Sequence, residues 1–135
     1  MTMELPSEDV KDMLVADSSL GLTFNTNLFI GREPDGDGEA ITIYDAPGRI
    51  PQTTLDGEVY YYPSVQIRVR ESGYVAAYNK IKAIISSLHT KHHGETFNGS
   101  IYIMILSSGE PFPMGWTEAG QALFIANFNL QRKEA

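Results

Sequence analysis

YYYPSVQIRVRESGYVAAYNKIKAIISSL, residues 60–88, decides the fold. Its first half alternates. Val65, Ile67 and Val69 fall on one side of an extended chain, and Gln66, Arg68 and Arg70 fall on the other. After the break at Ser72-Gly73 the period changes. Tyr74, Ala77, Tyr78, Ile81, Ile84, Ile85 and Leu88 recur at helical spacing and form one apolar stripe. The spacing predicts a strand, a tight turn and an amphipathic helix that ends near His92-His93-Gly94, where Gly94 suits a left-handed C-cap.

Toward the N-terminus, Ser7 is a candidate N-cap with Glu8 and Asp9 in the first helical turn, where the helix dipole favours acids. Val10, Met13 and Leu14 give that helix a short stripe up to about Asp17, and Ser18-Ser19-Leu20-Gly21 breaks it. Residues 26–32 and 39–44 are expected to be two strands of a hairpin closed by Glu33-Pro34-Asp35-Gly36-Asp37-Gly38, because Asp-Gly pairs between apolar runs are hairpin signals. Residues 46–58, APGRIPQTTLDGE, hold two prolines and two glycines without a period and are expected to be a long exposed loop.

Toward the C-terminus, residues 100–106 are apolar on both faces, with Ile101, Ile103 and Ile105 on one and Tyr102, Met104 and Leu106 on the other. That is the pattern of a strand in the middle of a sheet. Residues 107–120 are rich in Pro and Gly and are expected to be a second loop. Residues 121–130 are the last strand, with Phe124, Ala126, Phe128 and Leu130 inward. The chain is thus expected to be one domain, residues 1–135, of the α+β class: a single mixed, mostly antiparallel sheet with two helices packed on it.

Composition narrows the function. The 135 residues are 42% apolar and 20% charged, with no cysteine, which excludes a disulfide scaffold, a thiolate metal site and a cysteine nucleophile. The N-terminus lacks the basic and apolar regions of a signal peptide, and no run of about eighteen apolar residues is available to span a membrane. The net charge is -7, made of twelve acids against three bases up to Glu58 and five acids against seven bases beyond it. An acidic chain is a poor tight binder of nucleic acid. An acidic half and a mildly basic half suit copies that stack or ring up head to tail, or simply keep the protein soluble.

No enzyme motif is present. Residues 33–38 have the alternating carboxylates of a calcium loop, but the twelfth position counted from Glu33 is Tyr44 rather than a bidentate Glu, and no helix enters. His89, His92 and His93 gather where a helix ends, with Glu95 the one nearby carboxylate; a helix C-terminus favours histidines without any metal. There is no nucleophile elbow and no phosphate-binding Gly-Lys loop. No metal and no cofactor is expected, and catalytic residues are expected to be absent.

The candidates that remain are interface residues. Arg68 and Arg70 project together from one strand face, either into solvent or onto carboxylates of a neighbouring copy, with Asp35 and Asp37 as candidate partners. Arg49 sits in the 46–58 loop. In Gly109-Glu110-Pro111-Phe112-Pro113-Met114-Gly115-Trp116, the rings of Phe112 and Trp116 either fold back over a sheet end or stay out as anchors for a partner.

Two stretches carry a resemblance. Tyr62-Pro-Ser-Val-Gln-Ile-Arg-Val-Arg70, followed by Tyr74 and a helix, resembles the minor capsid or tail-terminator family of long-tailed bacteriophages. So does Gly109-Glu-Pro-Phe-Pro-Met-Gly115 followed by a strand ending Phe124-Ile-Ala-Asn-Phe128. The likeness spans about residues 59–130, and Trp116-Thr117-Glu118 departs from it, since an acid is expected sooner after Gly115. The resemblance implies an α/β fold whose copies close into a homohexameric ring at the head-proximal end of the tail. The ring would stop growth of the tail tube protein and meet the head-completion or connector protein, with genomic DNA only passing through the lumen. It implies a virion location after assembly in the host cytoplasm, no membrane and no catalytic step. The alternatives are another neck component, a stopper or adaptor, and a small metal-dependent hydrolase built on His89, His92 and His93.

Overall fold

The computed structural model describes residues 3–135. The elements run α1 (Pro6–Ala16), a 3-10 turn (Ser18–Leu20), β1 (Leu28–Ile30), β2 (Ala40–Thr53), β3 (Val59–Glu71), α2 (Tyr74–Leu88), β4 (Thr96–Phe97), β5 (Ser100–Ser107), β6 (Phe112–Trp116) and β7 (Ala122–Glu134). One seven-stranded sheet has the order β1-β2-β3-β7-β5-β4, with β6 also on β7. β7 divides its second edge: residues 122–125 pair with β6 and residues 128–134 with β5. Among the described strands only β1 and β2 run parallel, so the fold is α+β with a mixed, mostly antiparallel sheet, as the sequence predicts.

The alternation in β3 places the core. Val65, Ile67 and Val69 are fully buried beneath Ala77, Ile81, Ile84 and Leu88 of α2. Val10, Met13 and Leu14 of α1 join the same apolar cluster, together with Ile41 and Ile43 of β2 and Phe124 and Phe128 of β7. Each such side chain contributes about 1.5–3 kcal/mol on burial. Both helices therefore cover one face of the sheet and leave the other without a helix.

Several local expectations change. α1 begins at Pro6 with Leu5 as N-cap; proline fits the first helical position because its missing N–H needs no partner there. Ser7 lies inside the first turn, buried, and its N–H and hydroxyl both donate to the Asp45 carboxylate at 3.0 and 2.6 Å. Asp45 thus caps the helix from outside its own segment.

The expected antiparallel hairpin of residues 26–44 is parallel instead, with Leu28, Phe29 and Ile30 against Ile41, Thr42 and Ile43. β1 is only three residues long, so residues 31–39 suffice to bring the chain back to its start. Asp-Gly signals mark where the chain turns but not which way the next strand runs.

Residues 46–58 are not a loop. β2 continues to Thr53 and pairs with β3 through a turn in which Thr54 N–H donates to Glu58 O at 2.8 Å and Gly57 has φ +88°. Two register shifts, at residues 46–49 and 49–52, destroy the period of two. Pro47 and Pro51 are tolerated because this part of β2 is an edge strand. α2 ends at Leu88, with His89 as an extended cap, short of Gly94. The following residues bend beside β5 instead, where Gly94 N–H donates to Tyr102 O and Thr90 N–H to Ile105 O, at 2.7 and 2.8 Å. In β5 a bulge between Tyr102 and Met104 turns both Tyr102 and Ile105 inward and leaves Met104 and Leu106 half-exposed. Within the expected loop of residues 107–120, Phe112–Trp116 forms the fully exposed edge strand β6.

Candidate functional site

The helix-free face of the sheet is where polar, aromatic and cationic side chains meet. Register fixes its rows. Thr42, Arg68, Ile125 and Phe112 stand side by side across β2, β3, β7 and β6, and Tyr44, Gln66 and Asn127 form the next row. Ala46, Ser64, Asn129 and Leu106 follow. Ser64 Oγ donates to Asn129 Oδ1 at 2.9 Å and Gln66 Nε2 to Asn127 Oδ1 at 3.2 Å. These rungs satisfy the polar side chains sideways within the sheet. Next to them Arg49, Tyr62, Ser64, Met104, Leu106 and Asn129 line a groove of about 250 Å³.

The predicted interface residues separate into groups. Arg68 stands on this face with its guanidinium 5.4 Å from the centre of the Tyr44 ring, and its Nε is buried without a hydrogen bond among the described residues. Arg49 is exposed and lies 4.4 Å from the centre of the Tyr62 ring; it pairs with no carboxylate among the described residues. Phe112, 44% exposed, borders the same face. Arg70 has a different fate. It is only 4% exposed, and its Nε and Nη1 donate to Gly38 O at 3.0 Å and Pro34 O at 2.7 Å, with Glu33 3.6 Å away. Gln121 Nε2 also donates to Asp37 O and Gly38 O. The acidic loop 33–38 is therefore pinned within the chain, and Asp35 and Asp37 are displayed at its tip, exposed. Trp116 turns toward the helix side, with its ring 5.9 Å from Tyr74 of α2.

The three histidines are dispersed. His89 Nδ1 accepts the Ser107 N–H at 2.9 Å, His93 Nδ1 donates to Ile103 O at 2.9 Å, and His92 Nδ1 meets Glu95 at 2.9 Å. Two of them thus satisfy the outer edge of β5. Among the described residues no three His, Asp or Glu side chains gather where a metal ion would bind.

Two titrating clusters lie elsewhere. Asp9 of α1 is buried between Tyr102 Oη at 2.6 Å and Arg132 Nη1 at 3.1 Å. Burial pushes its carboxyl above the usual range, while the bonds from Tyr102 and Asn98 and the Arg132 charge pull it back. The same burial, and then Asp9, push the Tyr102 phenol up. At the far end of β3, Glu71 shares a hydrogen bond with Glu39, and that bond, helped by burial, raises its pKa to about 7. Neither cluster opens into the groove.

Comparison with known proteins places the chain in a family. The sequence matches the family described as bacteriophage tail terminator protein over residues 11–134. The chain belongs to that family. A chain in the solved virion of a native gene transfer agent particle has the same fold, at a TM-score of 0.64 and 10% identity, covering 96% of this chain and 95% of that one. No curated protein matches the sequence. The terminator family is structural, so the chain is a tail-completion component of a phage virion. In this terminator, Arg49, Arg68 and Phe112 were interface candidates from the sequence, Arg49 and Phe112 in expected loops that are strands β2 and β6, and the groove beside them was not foreseen. Met104 and Leu106 reach it only because of the β5 bulge, which leaves no mark in an all-apolar stretch.

Proposed function

We propose that the chain closes the head-proximal end of the tail as a homohexameric ring that stops growth of the tail tube and offers its opposite side to the head connector. The match to the terminator family over residues 11–134 carries this proposal. A growing tube exposes a heterologous face that each new ring extends; a bound ring of another protein presents a different face and ends the series. The unpartnered sheet face, with Arg68, Arg49 and Phe112, supports contact with further copies, and the acidic tips at Asp35 and Asp37 support complementary charge between them. Genomic DNA passes through the lumen without sticking if acids such as these line it, because they repel phosphate. Assembly takes place in the host cytoplasm, needs no membrane and includes no catalytic step.

Mass measurement in solution tests the ring, with the chain alone and with tail tube protein added. Six copies, alone or on tubes, are expected. A chain that stays monomeric in both cases contradicts the ring.

A further inference from the structure

The turn that closes the β2–β3 hairpin carries a leucine with nothing to cover it. Leu55 is 110% exposed, and Ile50 on the same hairpin is 84% exposed. The turn itself is well built: Gly57 N–H donates to Thr54 O at 3.0 Å, and Glu58 N–H to Thr54 Oγ1 at 3.2 Å. Asp56 Oδ1 takes the Thr54 hydroxyl and the Glu58 N–H, which hold its carboxyl below the usual range. A hydrogen-bonded, acidic turn therefore presents one large apolar side chain to solvent, with its burial still available to a contact outside the chain.

The groove on the helix-free face is the complement. Its floor is apolar, from Met104 (39% exposed) and Leu106 (38% exposed), and its rim carries Arg49, whose guanidinium stacks on Tyr62 without a carboxylate among the described residues. A volume of about 250 Å³ is ample for a leucine side chain, since an apolar cavity of about 150 Å³ holds a benzene ring. The same chain cannot fill it. Leu55 lies beyond the distal end of β3, while the groove lies beside Tyr62 and Ser64, so several residues at about 3.3 Å each separate the two along the strand.

We propose that this groove receives the hairpin turn, residues 54–58, of a second copy of the chain, with Leu55 between Met104 and Leu106 and the Asp56 carboxylate on the Arg49 guanidinium. Charge favours this occupant: an acidic turn meets Arg49 of the groove rim, which has no carboxylate partner among the described residues. Tip and groove are different patches of one molecule, so the contact is heterologous and repeats from copy to copy until it closes. It deepens the ring reading and rests on it, by naming the residues through which neighbours join. Leu55 would be the central apolar anchor, and the Asp56–Arg49 pair would set register and orientation.

Cysteine pairing tests the contact, because the chain has no cysteine of its own. The full chain carrying Leu55→Cys and Leu106→Cys is mixed with tail tube protein, oxidised, and analysed by non-reducing gel and native mass. Both positions are exposed, so neither change disturbs the core. Covalent oligomers are expected from the double variant alone, with each single variant left uncrosslinked. An assembled ring without a disulfide in the double variant overturns the docking and leaves the ring standing. A disulfide in Leu55→Cys alone places tip against tip and also overturns it. Monomers throughout overturn the ring and the contact together. A charge swap gives a second readout: Asp56→Arg weakens assembly about tenfold or more, and adding Arg49→Asp restores it. Failure of the double swap to recover any assembly contradicts the assigned pair.

Discussion

Arg70 and Arg132 are both buried, and each shows why an arginine is kept inside this chain. Arg70 takes two backbone carbonyls of the 33–38 loop, and Arg132 takes Asp9, the Glu4 carbonyl and the Ser100 hydroxyl. Removing a buried partner is costlier than the pair's own worth, because the remaining charge stays desolvated. Arg132→Met is therefore expected to destabilise the fold by about 3–5 kcal/mol, measured by urea unfolding. Tyr102→Phe, which removes one bond to Asp9 and leaves the charge pair, should cost only about 1–3 kcal/mol. Equal losses would contradict this division. Glu71 gives a pH dependence. Its pKa is raised to about 7 from an ordinary 4.5, so the folded chain binds that proton more tightly than the unfolded one. Its stabilising contribution is complete below the ordinary value and is lost as pH rises through about 7. Glu71→Gln should consequently raise Tm at pH 8 relative to the parent and leave it nearly unchanged at pH 4; the opposite order would contradict the shared proton with Glu39.

At the scale of elements, the β2–β3 hairpin is the part on which the proposed contact between copies depends. At Gly48 an added Cβ would stand 1.8 Å from the Tyr62 carbonyl oxygen, a backbone atom that cannot move aside alone. Gly48→Ala should separate the two strands there and lower stability by about 1–3 kcal/mol in thermal unfolding; an unchanged Tm would show that the register shift beside Gly48 is not needed. The β3–α2 unit was legible in sequence because two clean periods meet at one break, and both periods map onto burial. Residues 46–58 were not, because two register shifts and two prolines erase alternation while the true signal, Asp56-Gly57, lies at the far end. β6 was hidden for a related reason: an edge strand with proline and no buried face has no apolar pattern to show. Of the candidate site, Arg68 came from its strand face, whereas Arg49 and Phe112 came from residue type within expected loops that are in fact β2 and β6. The pinning of Arg70 did not, since it depends on a loop that arrives from 32–36 residues away in the chain.

On the scale of the whole molecule, the helices cover one sheet face to form the core and leave the other without a helix. The proposed contacts between copies use that free face. Arg68→Glu changes a half-exposed residue on the free face and spares Arg70, so it should leave the monomer's unfolding curve within about 1 kcal/mol of the parent while weakening oligomer formation; unaltered assembly would show that Arg68 meets only solvent. Electron microscopy of tubes grown from tail tube protein with increasing amounts of the chain tests whether this chain ends tail tubes. The account predicts that tubes stop lengthening and carry one additional ring at a single end. Tubes of unchanged length, with no density added at either end, would contradict it.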